Sequence, residues 1–157
     1  MLIYGAMNLL AFGVVIAAAR RTNSAELGSF AGLFSYAPGL TVAMTIALAS
    51  LAGIPPLGGW FAKFVVFRAL VSPGTVGGTS LALVMAVNSV IAFYYYGLVL
   101  KEMWFKAAPD GDTSPIRIPP SLQAALGLTG LATIVFGVVP GVITHFTDFT
   151  SLLTAGS

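Results

Sequence analysis

Charge is what this sequence has least of. Only 8% of its 157 residues are charged while 57% are hydrophobic, against roughly 25% charged in a soluble domain. The mean hydropathy is +0.95, so a water-facing surface cannot be built and a water-soluble fold is set aside. Cysteine is absent and histidine occurs once, which excludes a disulfide framework, iron–sulfur ligation and a zinc site made of His and Cys. Any redox centre that the chain serves lies on another chain. The basic residues are scattered and the net charge is only +2, so there is no footprint for nucleic acid. The acidic residues Glu26, Glu102, Asp110, Asp112 and Asp148 all fall in loops or at the ends of apolar runs. No nucleophile–base pair, phosphate-binding loop or metal-ligand cluster emerges, and catalysis of the soluble kind is excluded with them.

What the sequence has instead is long apolar runs, for which the useful unit is a span of about 20 residues. Met1 leads directly into an apolar stretch without a basic segment or a small-residue cleavage site, so the first segment reads as a span and not as a leader. The expected spans are residues 2–19, 38–70, 79–100 and 122–143, which makes the chain a single all-α transmembrane domain with about four helices. The first stops at the polar cluster Arg20-Arg21-Thr22-Asn23. Between the first two spans, Glu26 sits among Leu27, Phe30, Leu33 and Phe34 at helix-like spacing, with Ser24 as a candidate N-cap, and this predicts a short helix lying on the membrane surface.

The second span is far too long for one straight crossing, and the sequence shows where it breaks. Gly53-Ile54-Pro55-Pro56-Leu57-Gly58-Gly59 contains prolines that remove amide donors and glycines that permit non-helical angles. The expectation is a discontinuous helix interrupted over residues 53–59, with Gly53, Pro55, Pro56, Gly58 and Gly59 forming the break. Residues 72–78 then read as a turn, and the Phe93-Tyr94-Tyr95-Tyr96 run, with Trp104 beyond it, as an interfacial aromatic belt. Lys and Arg fall in the first and third loops (Arg20, Arg21; Lys101, Lys106, Arg117) and not in the second. By the positive-inside rule those two loops are cytoplasmic, and both termini lie on the outer side.

Lys63 is the outstanding residue. It lies inside the broken span in Trp60-Phe61-Ala62-Lys63-Phe64-Val65-Val66-Phe67, and an ionisable group there must face protein or water, because exposure to lipid costs several kcal/mol. Loss of hydration favours a neutral amine, so a lysine in such a place can take up and release protons. Carbonyls freed by a break are tolerated where they line a wet cavity, which suits the same role. The competing reading is a lysine whose ammonium snorkels to the interface; for Arg68 that is the better reading. Among other polar residues within spans (Asn8, Thr41, Thr45, Ser50, Asn88, Ser89, Thr129 and Thr133) most are expected to bond between helices. Asn88 and Ser89, mid-span, are the ones closest to a proton route. Tyr94, Tyr95 and Tyr96 read more simply as interfacial aromatics than as proton relays, though Tyr95 is kept beside Asn88 as a weaker candidate. His145 reads as an interfacial polar group.

The run Ser50-Leu51-Ala52-Gly53-Ile54-Pro55-Pro56-Leu57-Gly58-Gly59-Trp60-Phe61-Ala62-Lys63-Phe64 resembles the broken-helix segment of the subunit N family of bacterial NADH-quinone oxidoreductase, the respiratory complex I subunit related to mitochondrial NADH dehydrogenase subunit 2. Tyr4-Gly5-Ala6-Met7-Asn8-Leu9-Leu10-Ala11-Phe12, Gly32-Leu33 with Pro38, and Ala92-Phe93-Tyr94-Tyr95-Tyr96 agree in order and spacing, so the resemblance runs along nearly the whole chain. It implies an antiporter-like subunit of which these residues form the last four helices, the second of them discontinuous with a lysine at the break, matched by Lys63. It further implies a proton path driven by quinone reduction elsewhere, no cofactor on this chain, and NADH, FMN, iron–sulfur clusters and quinone on other subunits. The implied partners are the lipid bilayer, the other membrane subunits and the missing amino-terminal part of the same subunit, in a bacterial plasma (inner) membrane. The family's other central lysines and its lysine–glutamate pair are not in this chain. The expectation is therefore a fragment, a truncated reading frame or half of a split subunit. Subunits of cation/proton antiporter complexes and of membrane-bound hydrogenases share the broken helix and charge and are the first alternative; Ile54-Pro55-Pro56, lysine at the break and the three tyrosines favour subunit N. A structural segment without a transport role is the second.

Overall fold

A computed structural model describes residues 2–108, 111 and 113–139, which form helices and connecting segments, with no strand among the described residues. The elements are α1 (Leu2–Thr22), a 3-10 turn (Leu27–Phe30), α2 (Leu33–Tyr36), α3 (Pro38–Ala52), α4 (Gly58–Val71), α5 (Val76–Phe105) and α6 (Pro120–Val138). Pro38 and Pro120 stand in the first turns of their helices, where a missing N–H leaves no helical bond unmade. Thr75 caps α5 by accepting the Gly78 N–H at 3.2 Å. Arg20 and Arg21 occupy the last turn of α1, where a cation complements the helix dipole.

Helices α1, α5 and α6 are each long and apolar enough to cross a membrane. Helices α3 and α4 have 15 and 14 residues, so each is only about 21–23 Å long at 1.5 Å per residue. Neither alone crosses a hydrocarbon core of ~30 Å; together they make the discontinuous fourth crossing, with residues 53–57 as the break. Gly58 and Gly59 open α4 instead of belonging to the gap.

The core is a stripe along α1. Met7, Leu10 and Val14 are fully buried, at a spacing that places them on one face, and α1 packs against α3 and α6. Helix α3 answers with Leu40, Met44, Ala47 and Leu48. The opposite face of α1 (Leu9, Phe12, Ile16) and most of α5 remain exposed, as they must where lipid or other protein takes the place of water.

The segment before α3 departs from expectation. Instead of one surface helix capped by Ser24, it is a 3-10 turn and a single turn of α-helix separated at Gly32, whose φ is 66°. The Gly32 N–H donates to the Glu102 carbonyl at 3.0 Å, and a Cβ there would strike the Ala107–Ala108 backbone. Phe34 stacks on Trp104 with ring centroids 4.4 Å apart, while Phe30, Leu33 and Tyr36 join Met103 in the buried core. Phe30 and Leu33 thus point into the bundle, drawn there by the end of α5, while Leu27 stays exposed and Phe34 is covered on one side by Trp104. Ser24 Oγ accepts the Glu26 N–H at 3.2 Å, two residues short of the cap position. The tail beyond Val139 lies outside the described residues, including Pro140-Gly141, Ile143, His145 and Asp148, as do Asp110 and Asp112.

Candidate functional site at the broken helix

Helix α3 ends because Gly53 turns to φ 91°, a conformation that costs glycine little. Its N–H donates to the Ala49 and Ser50 carbonyls at 3.2 and 3.0 Å, and the Ile54 N–H to Ala49 at 3.0 Å. Pro55 and Pro56, joined by a cis peptide bond, offer no donors that could continue the helix. The chain re-enters helix at Gly58, and the first turn of α4 presses on its neighbours. A Cβ at Gly59 would fall on the Ser50 carbonyl, one at Gly58 on the Ile3 side chain, and one at Gly137 of α6 on the Pro56 carbonyl. Fully buried Ser50 pins the two halves, since its Oγ accepts the Gly59 N–H at 3.0 Å and lies 2.7 Å from Met7 Sδ.

An interrupted helix leaves its last carbonyls without helical partners, and the Ala52 carbonyl finds one in the lysine. Lys63 Nζ donates to it at 2.9 Å and to Ser89 Oγ of α5 at 3.3 Å. The side chain reaches back over the break, its stem filling the space in which a Cβ on Gly53 would stand 3.0 Å from Lys63 Cδ. Among the described residues the amine has no carboxylate partner. Arg68, by contrast, is exposed toward the end of α4.

Lys63 borders two clefts. The larger, of about 560 Å³, is lined by residues of α1, α3, α4 and α5 that include Tyr4, Asn88, Ser89 and Tyr96. The smaller, of about 230 Å³, is lined by Gly53, Trp60, Phe64, Phe67 and Ala86 together with Lys63 and Ser89, and the Trp60 and Phe64 rings stack at 5.3 Å. The structure therefore brings Asn88 to the same cleft as Lys63. Tyr95 does not line it: this side chain is 61% exposed and meets Tyr94 edge to face. The tyrosines that do are Tyr4 of α1 and, on α5, Tyr96, which lies seven residues after Ser89 and so on the same helical face, a signal present in the spacing.

The other polar residues of the spans mostly turn to carbonyls of their own helices. Asn8 donates to Tyr4, Thr41 to Ala37, Thr129 to Ala125 and Thr133 to Thr129. Thr45 is the exception that bridges, accepting Trp104 Nε1 at 3.0 Å. Two participants lie beyond side-chain reasoning, the Ala52 carbonyl and the close approach of Gly137 to the break.

Residues 1–92 match the family model described as NADH:quinone oxidoreductase/Mrp antiporter, TM. The chain is similar to NADH-quinone oxidoreductase subunit N 1 of Roseiflexus castenholzii, at 37% identity over 91% of this chain and 26% of that protein. It is 40% identical to NADH-quinone oxidoreductase subunit N of Coxiella burnetii over 88% of this chain and 28% of that one. Among solved structures, a chain of respiratory complex I from Thermus thermophilus with bound aureothin superposes with a TM-score of 0.67 at 27% identity, covering 90% of this chain and 32% of that chain. The chain thus spans about 26–28% of the length of the two relatives. The family match covers α1, the break and the first half of α5, the same elements that converge on Lys63, and the chain belongs to the NADH:quinone oxidoreductase/Mrp antiporter membrane family.

Proposed function

We propose that this chain is the carboxyl-terminal part of a subunit N of a bacterial NADH-quinone oxidoreductase, and that it supplies one section of a transmembrane proton path with Lys63 as the proton carrier. The observation that carries the reading is the Lys63 amine itself. It has no carboxylate partner among the described residues, it is held by a freed backbone carbonyl and a hydroxyl, and it stands between two clefts. A purely structural lysine in an apolar segment gains most from reaching an interface or a counter-ion. Among the described residues this one meets no counter-ion and turns back to the Ala52 carbonyl and the Ser89 hydroxyl instead, and an amine without a fixed counter-ion can release its proton without leaving an uncompensated carboxylate behind.

The names of the similar proteins favour this reading over an antiporter-complex subunit. On it, the cofactors and quinone belong to other subunits, the rest of the same subunit and the neighbouring membrane subunits cover the exposed faces of α4 and α5, and the loops bearing Arg20–Arg21 and Lys101–Arg117 face the cytoplasm. The testing experiment is NADH-driven proton pumping in membrane vesicles whose complete subunit carries Lys63→Ala, with assembly of the complex followed in parallel. Loss of pumping in an assembled complex supports the reading, and pumping at the unsubstituted rate refutes it.

A further inference from the structure

Of all the residues around the break, three line both clefts: Lys63, Met85 and Ser89. They form the wall between a chamber that includes Tyr4, Asn88 and Tyr96 and one that includes Trp60, Phe64 and Phe67. Within that wall Lys63 Nζ donates a hydrogen bond to Ser89 Oγ at 3.3 Å. The two oxygens that hold the amine differ in what they can do. The Ala52 carbonyl only accepts, and it accepts an N–H from either an ammonium or a neutral amine. The Ser89 hydroxyl both accepts and donates. As observed, its hydrogen goes to the Met85 carbonyl at 2.9 Å, which leaves a lone pair for an N–H of the ammonium.

When the lysine gives up its proton, the amine keeps two N–H donors and gains a lone pair that needs a donor. Rotation of the Ser89 hydroxyl hydrogen away from Met85 supplies it, and the Met85 carbonyl, inside a continuous helix, retains its backbone partner. From this we infer that Ser89 is a positioning residue for Lys63, keeping the amine in the wall between the clefts in both of its protonation states by reversing the direction of one hydrogen bond. One proton enters Lys63 from water in one cleft and the same number leaves to water in the other, with Ala52 as the constant anchor and Ser89 as the reversible one. The inference rests on Lys63 being the proton carrier.

The experiment uses the assembled complex with its complete subunit and compares Ser89→Ala, Ser89→Thr, Lys63→Ala and the Lys63→Ala/Ser89→Ala pair, measuring assembly, NADH-driven pumping and the pH profile of turnover. Ser89→Ala is expected to assemble, to lose about tenfold in turnover, as removal of a hydrogen bond to a charged group implies, and to shift the pH profile. Ser89→Thr, whose hydroxyl can make the same bond to the carbonyl four residues back, should stay within about twofold with an unshifted profile. Ser89→Ala should add nothing to Lys63→Ala, because a residue that acts only through its partner has no effect once the partner is gone. Normal turnover and an unshifted profile in Ser89→Ala, with Lys63→Ala inactive, overturn the role of Ser89 alone, as does failure of Ser89→Ala to assemble where Lys63→Ala assembles. Normal pumping in Lys63→Ala overturns the proton-carrier reading itself.

Discussion

The Ala52 carbonyl accepts a 2.9 Å hydrogen bond from Lys63 Nζ, so the last residue of α3 and a residue in the second turn of α4 are joined across the break that separates them. The bond explains why a break and a lysine occur together. Interrupting the helix frees a carbonyl, and a lysine placed just past the interruption is the side chain that can reach back to it. Each would be costly alone in an apolar medium, the carbonyl as an unsatisfied acceptor and the ammonium as an unpaired charge.

If the break is held by close backbone packing, a single methyl group at Gly59 should disturb it. Gly59→Ala drives a Cβ onto the Ser50 carbonyl, and overpacking of this kind costs about 1–3 kcal/mol. The expected outcome is a lower melting temperature of the assembled complex or a reduced yield of it, read by thermal unfolding and native gel electrophoresis. Gly77→Ala, at a site with no atom within 4 Å of the added Cβ, should leave both unchanged. Equal behaviour of the two variants would contradict the packing account.

Gly32 provides a second test, directed at the segment that links α1 to α3. Its φ of 66° costs a residue with a Cβ about 1–2 kcal/mol, and the Cβ would also collide with the Ala107–Ala108 backbone. Gly32→Ala should therefore destabilise the subunit by at least the first amount, seen as protease sensitivity in the Leu27–Tyr36 region. Wild-type resistance would show that the contact with the end of α5 is not what holds this segment.

Which tyrosine of α5 serves the cleft that Lys63 lines is also open to measurement. Tyr96 lines the larger cleft and Tyr95 is 61% exposed, so Tyr96→Phe should slow turnover of the assembled complex by roughly two- to tenfold, the effect of one hydroxyl's hydrogen bond. Tyr95→Phe should not change it. A reversed order would mean that α5 is rotated in the complete subunit relative to the face described above.

Much of this arrangement is legible in the residues because the physics involved is local. Pro55 and Pro56 lack amide hydrogens wherever they stand, so the interruption follows from composition. Lys63 stands out because a cation in an apolar run must have a reason to be there. The rotation of α5 is partly legible: Asn88 and Ser89 are near the middle of their span, and the seven-residue step from Ser89 leads to Tyr96 and not to Tyr95. The missed features need the third dimension. The helical spacing of Phe30, Leu33 and Phe34 suggests a surface helix, but the backbone bond of Gly32 to Glu102 and the stacking of Phe34 on Trp104 come from a helix some 70 residues later, and they carry Phe30 and Leu33 into the core. Likewise no side-chain pattern discloses that the Ala52 carbonyl receives the lysine, or that Gly137 must be small so that α6 can approach the break.

The most direct test of the central claim is the ratio of protons pumped to NADH oxidised, together with the rate of quinone reduction, in vesicles containing the complete subunit with Lys63→Ala, Lys63→Arg or no substitution and matched for assembled complex. The account predicts that Lys63→Ala lowers turnover and pumping by roughly a hundredfold or more, the scale of losing one positioned proton-transfer group, and that Lys63→Arg, permanently charged, does not restore them. Normal turnover with a normal proton ratio in Lys63→Ala would contradict the account, leaving Lys63 as a residue that only ties α4 to the end of α3.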